Sequence, residues 1–300
     1  GKADEHIPLI GGLNRPHGLD IHHDGETSWL YIAETNAVGR IAIDWSTAST
    51  KSDYQRLITN LPNTGGHWTR TIQFGTDGWL YPTVGSSCNV CEETDPRRAA
   101  MMRYRPDGSG EQIYATGLRN SVGFDWAPWD NSLYATDNGR DMLGDDFPPC
   151  ELNRIEAGGF YGWPYINGFG DLDPDLGQNK SAKNKATLLA TSISPVFGFR
   201  AHNAPLGISF LSHPDRPDGY RRTALVALHG SWNRTEPDGY KVVALHWDQQ
   251  GKITSEDFVT GFLRPDDDVI GRPVDIEEGM DGSIFISDDY AGAIYRVRYN

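Results

Sequence analysis

Thr71-Ile72-Gln73-Phe74-Gly75-Thr76-Asp77-Gly78-Trp79-Leu80-Tyr81 decides the fold. It reads as a short apolar strand, a tight Asp-Gly turn and a second apolar strand. Asp-Gly between such runs is a strong hairpin signal, because glycine takes the positive φ that the turn demands. The same arrangement recurs along the chain. Turns stand at Asp24-Gly25, Asp77-Gly78, Asp130-Asn131 and Asp281-Gly282, the first three spaced 53 residues apart. Each of these three is followed by Leu-Tyr, at Leu30-Tyr31, Leu80-Tyr81 and Leu133-Tyr134, and the last by Ile284-Phe285. A fifth unit with a longer turn, around Asp215 to Gly219, separates Leu206–Leu211 from Ala224–Leu228.

A lone hairpin buries one face at most, whereas units of about 40 to 55 residues are the size of propeller blades. Dividing the 300 residues by that period predicts an all-β, six-bladed β-propeller of four-stranded antiparallel blades, one domain over residues 1–300. Five blades are readable directly. The sixth is assigned to the weakly patterned stretch Tyr161 to Phe199 and the chain ends, with Ala293 to Tyr299 closing the ring beside a strand near Ile7 to Ile10.

Composition narrows the function. Against 41 acidic residues stand 27 basic ones, for a net charge of −14, and no basic run occurs, which argues against nucleic acid as a partner. No stretch approaches the roughly 18 to 20 consecutive apolar residues of a membrane span. Three cysteines are too few for a disulfide framework. Cys88 and Cys91 stand at i and i+3, a spacing that can close a local disulfide. A zinc site would need a second pair that the chain lacks, and Cys150 is left free or pairs between molecules.

The repeat also predicts a ring of functional residues. Ten residues before the turn aspartate stand Asn14, His67 and Asn120, flanked by Arg15 and Arg119, with Arg272 nine before Asp281. Three beyond the Tyr or Phe of the second strand stand Glu34, Asp137 and Asp288. A histidine among arginines and amides at a concave mouth suits a planar, multiply anionic ligand and a general base.

Several motifs occur together: Gly66-His67, Asp77-Gly78-Trp79-Leu80-Tyr81 through Gly85, Gly117-Leu118-Arg119-Asn120-Ser121-Val122-Gly123, Glu151-Leu152-Asn153-Arg154-Ile155 and Tyr161-Gly162-Trp163-Pro164. In this order they resemble the pyrroloquinoline quinone (PQQ)-dependent soluble sugar dehydrogenases, in particular the sorbosone dehydrogenase-like and aldose sugar dehydrogenase-like branches, from about Leu13 to Val297. The resemblance implies a quinoprotein that oxidises an aldose or sugar aldehyde by hydride transfer to PQQ, with His67 as general base. It implies PQQ contacts from Arg119, Asn120, Arg272 and Arg234, and a calcium ion beside PQQ on the backbone of Gly139 and Arg140. A second calcium is implied at Glu151 and the backbone of Tyr161. It further implies an external electron acceptor, a cytochrome or a dye, and a periplasmic or secreted location. Two positions depart from the family: Ser86 and Gly66 stand where relatives carry aspartates, so His67 is either oriented by another acid or less active.

Two other classes remain open at this level. One is a calcium-dependent lactonase-type hydrolase using Glu34, Asn120, Asp137 and Asp288 around one axial metal. The other is a propeller that binds a partner without catalysis. Loops such as Gly168–Lys185 and Phe197–Asn203, where sugar selectivity would reside, carry no readable pattern.

Overall fold

The computed structural model describes residues 5–177 and 185–299. Residues 178–184 of the Gly168–Lys185 loop therefore lie outside it, as do the outermost chain ends. Each Asp-Gly or Asp-Asn turn joins the two innermost strands of a sheet. The turn residues Gly25, Gly78, Asn131 and Gly282 all take positive φ, between 58° and 77°. The aspartates Asp77, Asp130 and Asp281 each accept, through Oδ1, the amide two residues on. One local chemistry thus builds the turn repeatedly, which is why the repeat could be read from the sequence.

Five antiparallel sheets result. Blade 1 is Leu19–Asp24, Thr27–Glu34 and Ala37–Asp44, with Ser49–Thr50 and Gln55–Ile58 both pairing with the third strand. Blade 2 is Ile72–Phe74, Leu80–Val84, Ala100–Arg103 and Gln112–Thr116. Blade 3 is Phe124–Trp126, Leu133–Asp137, Cys150–Ile155 and Phe197–Phe199. Blade 4 is Pro205–Phe210, Thr223–Leu228, Lys241–Trp247 and Ile253–Val259, and blade 5 is Pro273–Glu278, Ile284–Asp288 and Ala293–Val297. The five inner strands line a central cavity of about 390 Å³. No helix among the described residues is long and apolar enough to cross a membrane.

The protein is therefore a five-bladed propeller with mostly four-stranded antiparallel sheets, not the six-bladed one expected from the period. The stretch assigned to a sixth blade lacks strand alternation. After Ile155 it leaves blade 3, forms the small hairpin Ile166–Asn167/Asp171–Leu172 and the helix Lys185–Thr191, and returns as that blade's outer strand. Ala293–Val297 pairs with Ile284–Asp288 inside blade 5, and Ile7–Ile10 forms no strand.

Apolar clusters join blade 1 to 2, 2 to 3, 3 to 4 and 4 to 5. Among the described residues no such cluster joins blade 5 to blade 1. Leu19 and Ile21 of blade 1 are 60% and 44% exposed, and Ile294 of blade 5 is 74% exposed. A polar repeat tells the same story. Asp20 and Asp125 each accept the amide of the next residue and, across the seam, that of Phe74 or Phe210 on the following blade, at 2.6 and 2.7 Å. Asp275 holds the same register in blade 5, and among the described residues its carboxylate accepts only its own neighbour, the Ile276 amide.

Candidate active site

The loops that enter the first strands and those that leave the second strands emerge on one face of the propeller. Their anchoring is repetitive. Glu34 accepts the amide of Asn14, Asp137 those of Arg119 and Asn120, and Asp288 that of Arg272, at 2.6 to 3.0 Å. The acids at a fixed step past the second strand are thus caps for the entering loops. Glu34 is also gripped by Arg56 at 2.7 and 2.9 Å. Each acid thus serves backbone amides of its own blade, and Glu34 an arginine as well.

Blade 2 has Val84 where blades 1, 3 and 5 carry the acid, and there the structure does something else. His67 Nδ1 lies 2.9 Å from both the carbonyl oxygen and the hydroxyl of Ser86. The Ser86 hydroxyl donates its one hydrogen to the Cys88 carbonyl at 2.7 Å, so it accepts from His67. Nδ1 then carries the imidazole proton and Nε2 keeps its lone pair, as a general base requires. The imidazole is held near a pKa of about 4, first by burial and then by the positive charges of Arg119, Arg98 and Arg70. Arg70 and Arg98 donate only to backbone carbonyls around His67, those of Pro62, Thr64, His67, Thr69 and Gly85. Neither forms an ion pair among the described residues.

Asn120 joins this group closely: a Cβ placed on Gly85 would lie 2.5 Å from Asn120 Oδ1 and 2.7 Å from His67 Cβ. Arg119 is buried beside them. It donates to the carbonyls of Asn89, Asn138 and Gly139 at 2.9 to 3.1 Å, to Asn89 Oδ1 at 2.9 Å and to Asp141 at 3.3 Å. The Arg140 side chain turns away into a buried ion pair with Asp173 at 2.7 Å. On the far side of the mouth Arg272 donates to the carbonyls of His229 and Gly230, at 3.0 and 2.8 Å, and has no carboxylate partner among the described residues. Arg234 reaches the Asp145 carbonyl and Asp146 of the neighbouring blade. His67, Arg119, Asn120 and Gly139 are thus brought together, while Arg234 and Arg272 each make separate contacts, with the blade 3 loop and with the His229–Gly230 backbone. The central cavity is lined by none of these side chains.

A smaller cavity of about 10 Å³ lies among Arg119, Asp137, Gly139, Glu151 and Tyr161, close to the volume one water-sized particle needs. Asp137 and Glu151 face one another on paired strands. Burial, and for Glu151 also the Asp137 charge, pushes them up to about 7 and about 8. Asn138 Oδ1 and Asn153 Oδ1 are buried without a partner. Buried carboxylates beside unsatisfied amide oxygens are hard oxygen donors of the kind calcium takes. At Gly139, by contrast, the Arg119 guanidinium already uses the carbonyl.

Cys88 and Cys91 are bonded to one another, with Cα atoms 6.2 Å apart, and Cys150 is a buried free thiol. The sequence motifs assigned no role to Asn89 or Asp141, although Asn89 is the residue that binds Arg119 most. Its position inside Cys88-Asn89-Val90-Cys91 was the one available signal.

An all-β propeller whose mouth gathers a neutral histidine, unpaired arginines and a buried acidic pair is the class that fold and site define. A model of the TrAA12-like family matches residues 9–151 and 172–300, and the chain belongs to that family. It is 40% identical over 303 residues to an uncharacterized protein of Borreliella burgdorferi, covering 96% of this chain and 76% of that protein. It is 26% identical to a pyrroloquinoline quinone-dependent pyranose dehydrogenase of Coprinopsis cinerea over 94% of this chain, and spans 46% of that protein's length. In fold it is similar to the calcium structure of a Trichoderma reesei protein of Carbohydrate-Active Enzymes Family AA12, with a TM-score of 0.80 and 24% identity over 97% of this chain and 82% of the other.

Proposed function

We propose that the protein is a PQQ- and calcium-dependent oxidoreductase acting on an aldose or sugar aldehyde, of the sorbosone or aldose sugar dehydrogenase type. The observation that carries this reading is His67: among the described residues its Nε2 is free to accept a proton, and its neighbours Arg70 and Arg98 lack carboxylate partners, in a chain of net charge −14. Unpaired guanidinium groups around a neutral base suit an anionic, planar cofactor next to a hydroxyl that must lose a proton. The pyranose dehydrogenase relative, whose name carries PQQ, supports the same assignment.

PQQ, when bound, supplies the two-electron acceptor for the substrate carbon. Arg119, Asn120, Arg272 and Arg234 would hold its oxygens and carboxylates. His67 takes the hydroxyl proton on Nε2, while Ser86 keeps the ring in the working tautomer. Calcium would be held at Glu151 with the backbone of Tyr161, and beside PQQ at Gly139 and Arg140. Electrons leave to an external cytochrome or dye. The disulfide accords with a periplasmic or secreted protein, since such bonds persist in oxidising compartments.

The test is calorimetric titration of PQQ into metal-stripped protein, with and without Ca²⁺, alongside dye-linked aldose oxidation. Calcium-dependent binding that Arg119→Ala weakens, with turnover that His67→Ala abolishes, is the expected result. No PQQ binding at any calcium concentration would overturn the reading.

A further inference from the structure

We propose that the loop closed by Cys88 and Cys91 is one shared support for the proton-accepting histidine and the cofactor arginine, with Ser86 and Asn89 as their positioning residues. The inference rests on the roles given above to His67 and Arg119. It stands on a dense set of contacts from one short loop. Ser86 is fully buried. Its carbonyl and hydroxyl both face His67 Nδ1 at 2.9 Å, and its hydroxyl is in turn fixed by the Cys88 carbonyl at 2.7 Å. The Ser86 amide donates to the Arg119 carbonyl at 2.8 Å, tying the two elements together.

Asn89 lies between the two cysteines and serves the arginine. Its carbonyl accepts Arg119 Nε at 3.0 Å, and its side-chain oxygen accepts Arg119 Nη2 at 2.9 Å and the Asp141 amide at 2.8 Å. Its amide nitrogen donates to the Asp141 carbonyl at 3.0 Å. Every one of these contacts needs the loop backbone to point in one direction. Among the described residues no backbone hydrogen bond closes residues 88–91 on themselves. The covalent bridge and the Glu93 carboxylate, which accepts the Ser87 amide and hydroxyl at 2.6 and 2.8 Å, supply that constraint instead. A hydroxyl backed by a carbonyl fixes the tautomer without adding negative charge, so the imidazole stays neutral where an aspartate would favour its protonation.

The experiment is ¹⁵N NMR of the metal-free, PQQ-free protein, following the His67 ring nitrogens and the Arg119 Nε–H. Wild-type protein is expected to show the Nδ1–H form. Ser86→Ala, which keeps the Ser86 carbonyl as an acceptor, should retain the Nδ1–H form but shift and broaden the His67 ring signals and leave Arg119 unchanged, Ser86→Thr should restore the wild-type signals, and Asn89→Ala should shift and broaden Arg119 alone. The Cys88→Ser/Cys91→Ser variant should disturb both sites; if it does not fold, the single Ser86 and Asn89 variants decide. Unchanged His67 and Arg119 signals in these variants overturn the proposal. With PQQ, Ser86→Ala should lower kcat more than tenfold and leave the PQQ Kd within twofold, whereas Asn89→Ala should raise that Kd. Failure of PQQ to bind wild-type protein would count against the proposed function, and the NMR result would still judge the loop.

Discussion

The guanidinium of Arg119 donates to the carbonyl oxygen of Gly139 at 2.9 Å, so a protein cation already sits on the acceptor assigned to calcium beside PQQ. Arg119 must turn towards an anionic ligand before that carbonyl can serve a metal. Without PQQ the protein should therefore bind one equivalent of calcium, at Glu151, and with PQQ two. Equilibrium dialysis with radioactive calcium counts them directly; two equivalents in the absence of PQQ would show that Arg119 does not guard the site.

Calcium binding at Glu151 should release a proton. With its carboxyl pushed up to about 8, Glu151 is protonated at neutral pH, and a metal takes only the ionised form. Affinity should rise about tenfold per pH unit below that value. The sign for stability is opposite: the folded state holds a proton the unfolded state has lost between about pH 4.5 and 8, so the metal-free protein weakens as pH rises through this window. Glu151→Gln should make metal-free protein more heat-resistant than wild type at pH 8 and remove the stabilisation by calcium. Thermal melts with and without chelator report both.

The rate should stay high to unusually low pH. A free histidine loses its basic form near pH 6.5, but burial and Arg119 hold His67 near 4. The acid limb of kcat/KM should fall at about pH 4. Because the unfolded chain protonates this histidine near 6.5, the same shift costs stability as pH drops from 6.5 to 4. A limb at 6.5 would mean that neither burial nor the arginines act on the ring.

Gly85→Ala is expected to damage chemistry more than folding. The new methyl would meet Asn120 and His67 at 2.5 and 2.7 Å, pushing apart the base and its amide neighbour. Misplacement by about 1 Å can cost about 100-fold in rate. Turnover numbers set against the thermal midpoint separate the two effects.

Asp173→Ala should loosen the excursion from blade 3. Asp173 pairs with buried Arg140 and also accepts Asn167 Nδ2 and the amides of Asp175 and Leu176, at 2.7 to 3.1 Å. Removing one partner of a buried pair costs about 3–5 kcal/mol when the other charge is left unpaired, and less is expected here because Arg140 keeps Asp175 at 2.9 Å. Urea denaturation followed by tryptophan fluorescence measures the loss.

The blade core and the register of the mouth were legible in the sequence because the same local chemistry recurs: Asp77, Asp130 and Asp281 make one turn, and Glu34, Asp137 and Asp288 make one cap. Those caps also show the limit of such reading, since position alone does not tell a backbone cap from a metal ligand. The blade count failed where the period was extended over Tyr161–Phe199, a stretch tied to the rest of blade 3 through contacts such as that of Asp173 with Arg140 rather than by alternation. Ser86 was seen only as a missing acid. That a hydroxyl oriented by the Cys88 carbonyl takes the acid's place depends on contacts between loops, which no spacing reveals. Asn89 is hidden for the same reason.

Among the described residues four apolar seams serve five blades, the arrangement of a stack with two ends rather than of a closed hoop. Neighbour contacts then add along the row, and terminal units open first. His67, Arg119 and Asn120 are carried by interior blades, whereas Asn14 and Arg272 belong to the two end blades. A ligand that engaged Arg119 and Arg272 together would tie end blade 5 to interior blade 3 and leave blade 1 untouched, so its strongest mechanical effect should fall on blade 5, far from the base itself.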